Sequence, residues 1–151
     1  MEKEQAIKLQ LAKDFNVPIE QLYKAWVTPD KLKQWWHPLN SHLLEVQIDL
    51  KPGGAYQYRF QNESGKYGFA IAGNYEEVQE AKRLVYSWNW QLPDKAVQDG
   101  HFKLIIEFNP RGNGSQLQVT QENFSEEEAV HPHREGWEKA LVDLKNYLEG
   151  V

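Results

Sequence analysis

The chain has 151 residues, 40% hydrophobic and 26% charged, which suits one globular domain over residues 1–151, large enough to bury roughly 68 to 70% of its unfolded surface. Its net charge of -5 comes with no basic block, which argues against a phosphate-tracking nucleic-acid surface and against docking on an anionic membrane. It contains no cysteine, which excludes disulfides, thiolate nucleophiles and cysteine-ligated zinc and fits a reducing compartment.

The first residues, MEKEQAIKLQLAKDF, hold no apolar leader core, and no apolar run approaches the 18 or so residues of a membrane span. A cytoplasmic location without a membrane span is the expectation. The glycosylation-type triplets at Asn62, Asn113 and Asn123 are then chance matches in turns or strand ends.

In chain order, Ile7, Leu9 and Leu11 alternate with Lys8, Gln10 and Ala12, the period of a first strand to about Phe15. Pro18 then suits a first helical residue, and Ile19, Leu22, Tyr23 and Trp26 follow at helical spacing. A second short helix starts with Thr28 as cap and Pro29 in its first turn; it carries Leu32, Trp35 and Trp36 and ends at Pro38.

From Leu43 the period returns to two for six strands separated by turn-forming clusters. The second strand is expected to turn Leu44, Val46 and Ile48 inward, and Lys51-Pro52-Gly53-Gly54 reverses the chain. The third presents Tyr56, Tyr58 and Phe60 before the turn Asn62-Glu63-Ser64-Gly65. The fourth presents Phe69, Ile71, Gly73 and Tyr75, with Glu77 continuing that face. The fifth presents Leu84, Tyr86, Trp88 and Trp90, and the loop PDKAVQDG leads to the sixth, with Phe102, Leu104, Ile106 and Phe108. Arg111-Gly112-Asn113-Gly114 is a hairpin turn, and the seventh strand buries Leu117 and Val119.

The last stretch is helical. His133, Trp137, Ala140, Leu141, Leu144 and Leu148 share one face. Ser125 with Glu128 reads as a capping box, the acids at 126 to 128 suit the positive end of the helix dipole, and Gly150 reads as a stop. Pro132 predicts a kink or restart, with Gly136 adding slack one turn later. The order is β-α-α-β6-α, an α+β chain whose sheet is too long to stay flat and is expected to curl around the final helix. The aromatic faces of strands three, five and six either pack densely or leave a cavity beneath that helix.

Four stretches, FNVPIEQLYKAWVTPDKLKQWWHP, PGGAYQYRF, GNYEEV with RLVYSW, and HREGWEKALVDLKNYL, together resemble the helix-grip (START-like, Bet v-like) superfamily, and within it the branch similar to the C-terminal domain of activators of the heat shock protein 90 ATPase. The resemblance spans nearly the whole chain. It implies a curved seven-stranded antiparallel sheet gripping a long C-terminal helix around a pocket for a small hydrophobic or aromatic molecule. It leaves as an alternative an enzyme of the cyclase, dehydratase or hydrolase type on the same scaffold.

On that fold the expected lining is Trp35 and Trp36 from the second helix, Tyr56 and Tyr58 from the third strand, and Phe69, Ile71 and Tyr75 from the fourth. Tyr86 and Trp88 come from the fifth strand, Phe102 and Leu104 from the sixth, and His133, Trp137 and Leu141 from the last helix. Trp35, Trp36 and His37 stand where a lid is expected. The same aromatics equally suit plain core, and His37 a solvated loop.

Candidates for chemistry are His133, Glu77 and Tyr86. Within the cavity, His133 is placed for acid-base work or ligand hydrogen bonding; outside it, it is a structural side chain. Glu77 inside an aromatic cavity would be desolvated and hold its proton more tightly, whereas at the hairpin end it would be solvated or pair with Arg83. His131 and His133 are two residues apart and do not share a helix face, so no metal site is expected, and no cofactor motif is present. The partner expected is a small hydrophobic molecule, with monomer or weak dimer left open. Chaperone contact is disfavoured, because the separate N-terminal domain of full-length activators is not expected ahead of the first strand.

Overall fold

The structure is a computed structural model that describes residues 7–37, 41–61, 67–91, 102–124 and 130–150. Its elements are β1 (Ile7–Phe15), α1 (Ile19–Val27), α2 (Pro29–Trp35), β2 (His42–Ile48), β3 (Ala55–Gln61), β4 (Tyr67–Gln79), β5 (Arg83–Gln91), β6 (Phe102–Arg111), β7 (Gly114–Phe124) and α3 (Val130–Glu149). All seven strands form one antiparallel sheet in the order β1-β7-β6-β5-β4-β3-β2. The expected α+β helix-grip architecture is present: a hairpin-connected meander, with β1 closing against β7, curls around α3.

Period-two alternation puts Tyr56, Tyr58, Phe60, Phe69, Ile71, Tyr75, Leu84, Tyr86 and Trp88 on the inner face, all buried, and Phe102, Leu104, Ile106, Phe108, Leu117 and Val119 continue it. Register shifts interrupt the ladders at four places among the described residues, between Ile7 and Leu9, Leu43 and Glu45, Phe60 and Gln61, and Tyr75 and Glu77, and two of them move residues off the face that alternation gives them. In β2 the register shifts between Leu43 and Glu45, so Leu43 turns inward at 7% exposure while Leu44 is 45% exposed. This corrects the placing of Leu44, because the extra residue of a bulge reverses the parity of everything before it, while Val46 and Ile48 pack against the core as expected. The other such shift is the one between Tyr75 and Glu77 in β4.

The turns follow their residues. Gly54 donates its N–H to the Lys51 carbonyl at 2.8 Å, and Gly53 has φ +84° at the third position, as a type II turn with proline second requires. Gly112, at φ +58°, takes the first of the two positions between the paired Arg111 and Gly114, where positive φ suits glycine. The turn at 62–65, the loop at 93–100, Pro38, the Ser125–Glu128 cap and the side chains of Trp90 and Pro132 lie outside the described residues.

Helix boundaries shift by one residue at α1: Pro18 is its N-cap, with its carbonyl accepting from Gln21 and Leu22. Thr28 caps α2 by position, but its side chain makes no capping hydrogen bond. The described part of α3 is a single helix through positions 132 and 136, with no restart. It ends at Gly150, φ +73°, whose N–H returns to the Asn146 carbonyl at 3.0 Å. Trp137, Ala140, Leu141 and Leu144 are buried along its predicted stripe. Its last turn is tied to the end of β1: Glu149 accepts from the Asn16 N–H at 2.8 Å and from Lys145 at 2.7 Å, while Lys145 also donates to the Asp14 carbonyl.

Candidate functional site

The inner face, α1, α2 and α3 enclose a cluster of aromatic rings centred on Trp36. Trp36 meets Tyr58 and Phe60 edge-on, at 5.1 and 5.3 Å between centroids, and lies tilted on Trp88 at 5.9 Å. Trp137 of α3 stacks on Trp26 of α1 at 6.0 Å and contacts Trp88 at 5.6 Å. Between them is a void of about 10 Å³ lined by Trp26, Leu32, Trp35, Trp36, Tyr58, Tyr86, Trp88 and Trp137, about the room one water molecule needs. Of the two expectations for this interior, dense packing is what the described residues adopt.

Six predicted lining residues border this void: Trp35, Trp36, Tyr58, Tyr86, Trp88 and Trp137. Tyr56, Phe69, Ile71, Tyr75, Phe102, Leu104 and Leu141 are buried around it as core. Trp36 is not an outer lid, since it is only 6% exposed. Trp26 and Leu32 are lining residues that the sequence reading assigned only to helix stripes; the signal was their shared face with Tyr23 and Trp35.

Hydrogen bonds fix several of these rings. Trp26 donates its indole N–H to the Tyr86 hydroxyl at 3.0 Å, and Trp35 donates to the Ala25 carbonyl at 2.9 Å. The Tyr58 and Tyr75 hydroxyls lie near enough to influence each other's protons. Burial pushes the hydroxyls of Tyr56, Tyr58 and Tyr86 well above the usual tyrosine range, and neighbouring tyrosines push the same way. Burial likewise raises Tyr75, against the lowering effect of Tyr58. At neutral pH these are therefore neutral hydrogen-bonding groups, not bases or nucleophiles.

A second polar group was hidden in the pattern. Gln121, on the inner side of β7, is fully buried; its oxygen accepts the Trp137 N–H at 2.8 Å, and its nitrogen lies 3.4 Å from Nδ1 of His133. With the amide oriented by Trp137, its NH₂ faces the histidine, which assigns Nδ1 as the acceptor and the proton of the neutral ring to Nε2. His133 is half-buried, and its ring lies 5.1 Å from that of Phe102.

The three candidates for chemistry are not brought together. Glu77 does not continue the inner face, because the bulge after Tyr75 turns it outward. There it accepts from Gln79 and pairs with Arg83 at 3.3 Å, and Arg83 in turn pairs with Glu107 at 2.6 Å. Tyr86 is committed to Trp26, and no hydrogen bond joins it to His133. His37 bonds the Ser41 carbonyl at 3.2 Å and stands beside His42, and His131 pairs with Glu135 on the surface.

A larger concavity, about 430 Å³, opens on the outer face over β3, β4 and β5. Gln47, Gln57, Asn74 and Asn89 give it amide walls around Ala55, Ala72 and Gly73. The sheet is locally opened there. Asn74 donates its N–H to Ser87 Oγ at 2.9 Å, and the Tyr56 hydroxyl donates to the Ser87 carbonyl at 2.5 Å.

Among the described residues no helix is long and apolar enough to cross a membrane. No protein of curated function matches the chain. Among solved structures it is similar to the AHSA1 protein from Silicibacter pomeroyi, at 25% identity and TM-score 0.79 over 95% of this chain and 98% of that one. It is similar also to the AHSA1-like protein from Aeromonas hydrophila, at 23% identity and TM-score 0.78 over 95% and 93%. CalU16 from Micromonospora echinospora shares the fold at 19% identity and TM-score 0.68, over 95% of this chain and 76% of that one. Residues 16–149 match the family described as Activator of Hsp90 ATPase homolog 1-like protein, and with the helix-grip sheet and its aromatic interior in place, the chain belongs to that family.

Proposed function

We propose that this protein binds a small, flat hydrophobic molecule in its interior, between α3 and the curved sheet, as a carrier or sensor. The observation that carries the reading is the void at the meeting of α2, α3 and β5, whose lining among the described residues is seven aromatic side chains and one leucine. Such a lining suits an aromatic guest, each ring pair contributing about 0.5 to 1.5 kcal/mol beyond area burial. At about 10 Å³ the void is a seed for that guest and not its full volume, so binding goes with displacement of a side chain. An acid-base enzyme built on His133, Glu77 and Tyr86 is less favoured, since Glu77 lies on the opposite face of the sheet from Tyr86.

The test is two-dimensional NMR of amide and indole N–H groups against lipids, sterols and flat aromatics. Shifts concentrated at Trp36, Trp88 and Trp137 with one chemical class support the reading. If every class leaves those indoles unmoved, the interior is plain core and the reading is withdrawn.

A further inference from the structure

The residues that line the void are unequally satisfied. Trp26, Trp35 and Trp137 each donate their N–H to a named acceptor. The indole N–H groups of Trp36 and Trp88 have no acceptor among the described residues, and Tyr86 uses its oxygen for Trp26 while its own O–H proton has none. All three residues are buried and all three border the void. A buried donor without an acceptor is costly and uncommon. The lining therefore offers donors and ring faces, and among the described residues it contains no lysine, arginine or histidine.

Trp36 differs from the other rings in how it is held. It is the residue after α2, with extended φ −103° and ψ 112°, and among the described residues its ring contacts are with Tyr58, Phe60, Trp88 and Trp35, with no hydrogen bond from its side chain. Trp88 also lacks a hydrogen bond but sits inside β5, paired directly with Phe102. Trp36 is thus the ring that leaves without breaking a hydrogen bond or a strand. The contacts it gives up are of a kind that another flat ring restores.

Resting on the reading above, we infer that Trp36 fills the binding site of the free protein and is displaced by a neutral, flat aromatic molecule carrying an acceptor oxygen, of the aryl ketone or quinone class, whose oxygen takes the Tyr86 O–H. A carboxylate of the same shape is rejected, because it would lose its hydration with no cation to replace it.

The experiment titrates naphthalene, acetylnaphthalene and naphthoate into the full chain and into Trp36→Ala, following the indole N–H resonances. Acetylnaphthalene should bind Trp36→Ala about tenfold or more tightly than wild type, since the cost of displacing the ring is removed. In both proteins it should bind about tenfold or more tightly than naphthoate, and more tightly than naphthalene. If naphthoate or naphthalene binds as well as the ketone, the donor-lined site is overturned while interior binding stands. If wild type binds the ketone as tightly as Trp36→Ala does, Trp36 is part of the site and its displacement is overturned. If no probe moves the indoles of a folded Trp36→Ala, the underlying reading fails as well. Should Trp36→Ala not fold, Trp36→Leu takes its place, and the ketone-to-carboxylate ratio in wild type tests the polarity of the site directly.

Discussion

The indole N–H of Trp137 meets the side-chain oxygen of Gln121 at 2.8 Å, and Gln121 is fully shielded from solvent. This bond joins the middle of α3 to β7 and aims the rest of the amide at His133. Gln121→Leu leaves a buried N–H without an acceptor and should cost about 1 to 3 kcal/mol. Trp137→Phe leaves the amide oxygen unpaired, with loss of ring contacts added. The double variant should be more stable than the sum of the two losses predicts, by about 1 kcal/mol, because each single change orphans the other partner. Urea unfolding of the four proteins checks this, and strict additivity would show that the bond contributes nothing of its own.

The stripe of α3 and the inner faces of β3, β5 and β6 were legible because burial there repeats with the period of the element. What stayed hidden has a common form. The two shifts that move residues off their expected face sit on doublets of like residues, Leu43-Leu44 and Glu76-Glu77, so alternation cannot tell which member faces in. Alternation puts both Leu44 and Glu77 on the wrong face for this reason. Gln121 is inward-facing but polar, and a reading that equates inward with apolar skips it. Trp36 is legible as an aromatic near the mouth, but not as the ring at the centre of the cluster. That depends on Tyr58, Phe60 and Trp88, which approach it from distant parts of the chain.

Two glycines should respond to alanine in opposite directions. A Cβ on Gly73 would come within 2.3 Å of the Ser87 carbonyl oxygen and 2.5 Å of its Oγ, and a backbone carbonyl in a sheet has little freedom to withdraw. Gly73→Ala should therefore destabilise by about 1 to 3 kcal/mol and break the Asn74–Ser87 and Tyr56–Ser87 bonds. A Cβ on Gly136, inside α3, would meet nothing within 4 Å. Gly136→Ala should stabilise by about 0.5 to 1 kcal/mol through helix propensity. Thermal unfolding of both variants measures the signs; a neutral Gly73→Ala would mean that β4 and β5 can part there without cost.

Glu149 fastens the end of α3 to β1. Its bond from Lys145, then the Asn16 N–H, hold its carboxyl below the usual carboxylate range. A folded-state value below the unfolded one contributes stability that is present above the unfolded value and lost as pH falls through the folded one. Glu149→Gln should leave the fold intact and flatten the acid side of the stability curve relative to wild type. It should also speed amide exchange at Asn16. Equal acid-side slopes in the two proteins would remove Glu149 from the linkage.

The alkaline side carries the larger effect, because the hydroxyls of Tyr56, Tyr58, Tyr75 and Tyr86 are all raised above the ordinary tyrosine value of about 10, chiefly by burial. Below pH 10 the folded and unfolded chains hold these protons equally and the contribution is fully present. Above it the unfolded chain releases them while the folded chain does not, so stability falls as pH rises toward the folded values. Each tyrosine adds up to about 1.4 kcal/mol per pH unit to that fall. Denaturant midpoints should therefore drop steeply above pH 10, and tyrosinate absorbance from these four should rise only together with loss of the folded signal. Tyr86→Phe separates this linkage from general alkaline damage. At neutral pH it should lose about 1 to 3 kcal/mol, because the Trp26 N–H is left without its acceptor, yet above pH 10 its stability should fall less steeply than wild type by one tyrosine's share. If all the tyrosines of the folded protein ionise smoothly near pH 10, the aromatic interior is open to water and cannot discriminate between a ketone and a carboxylate.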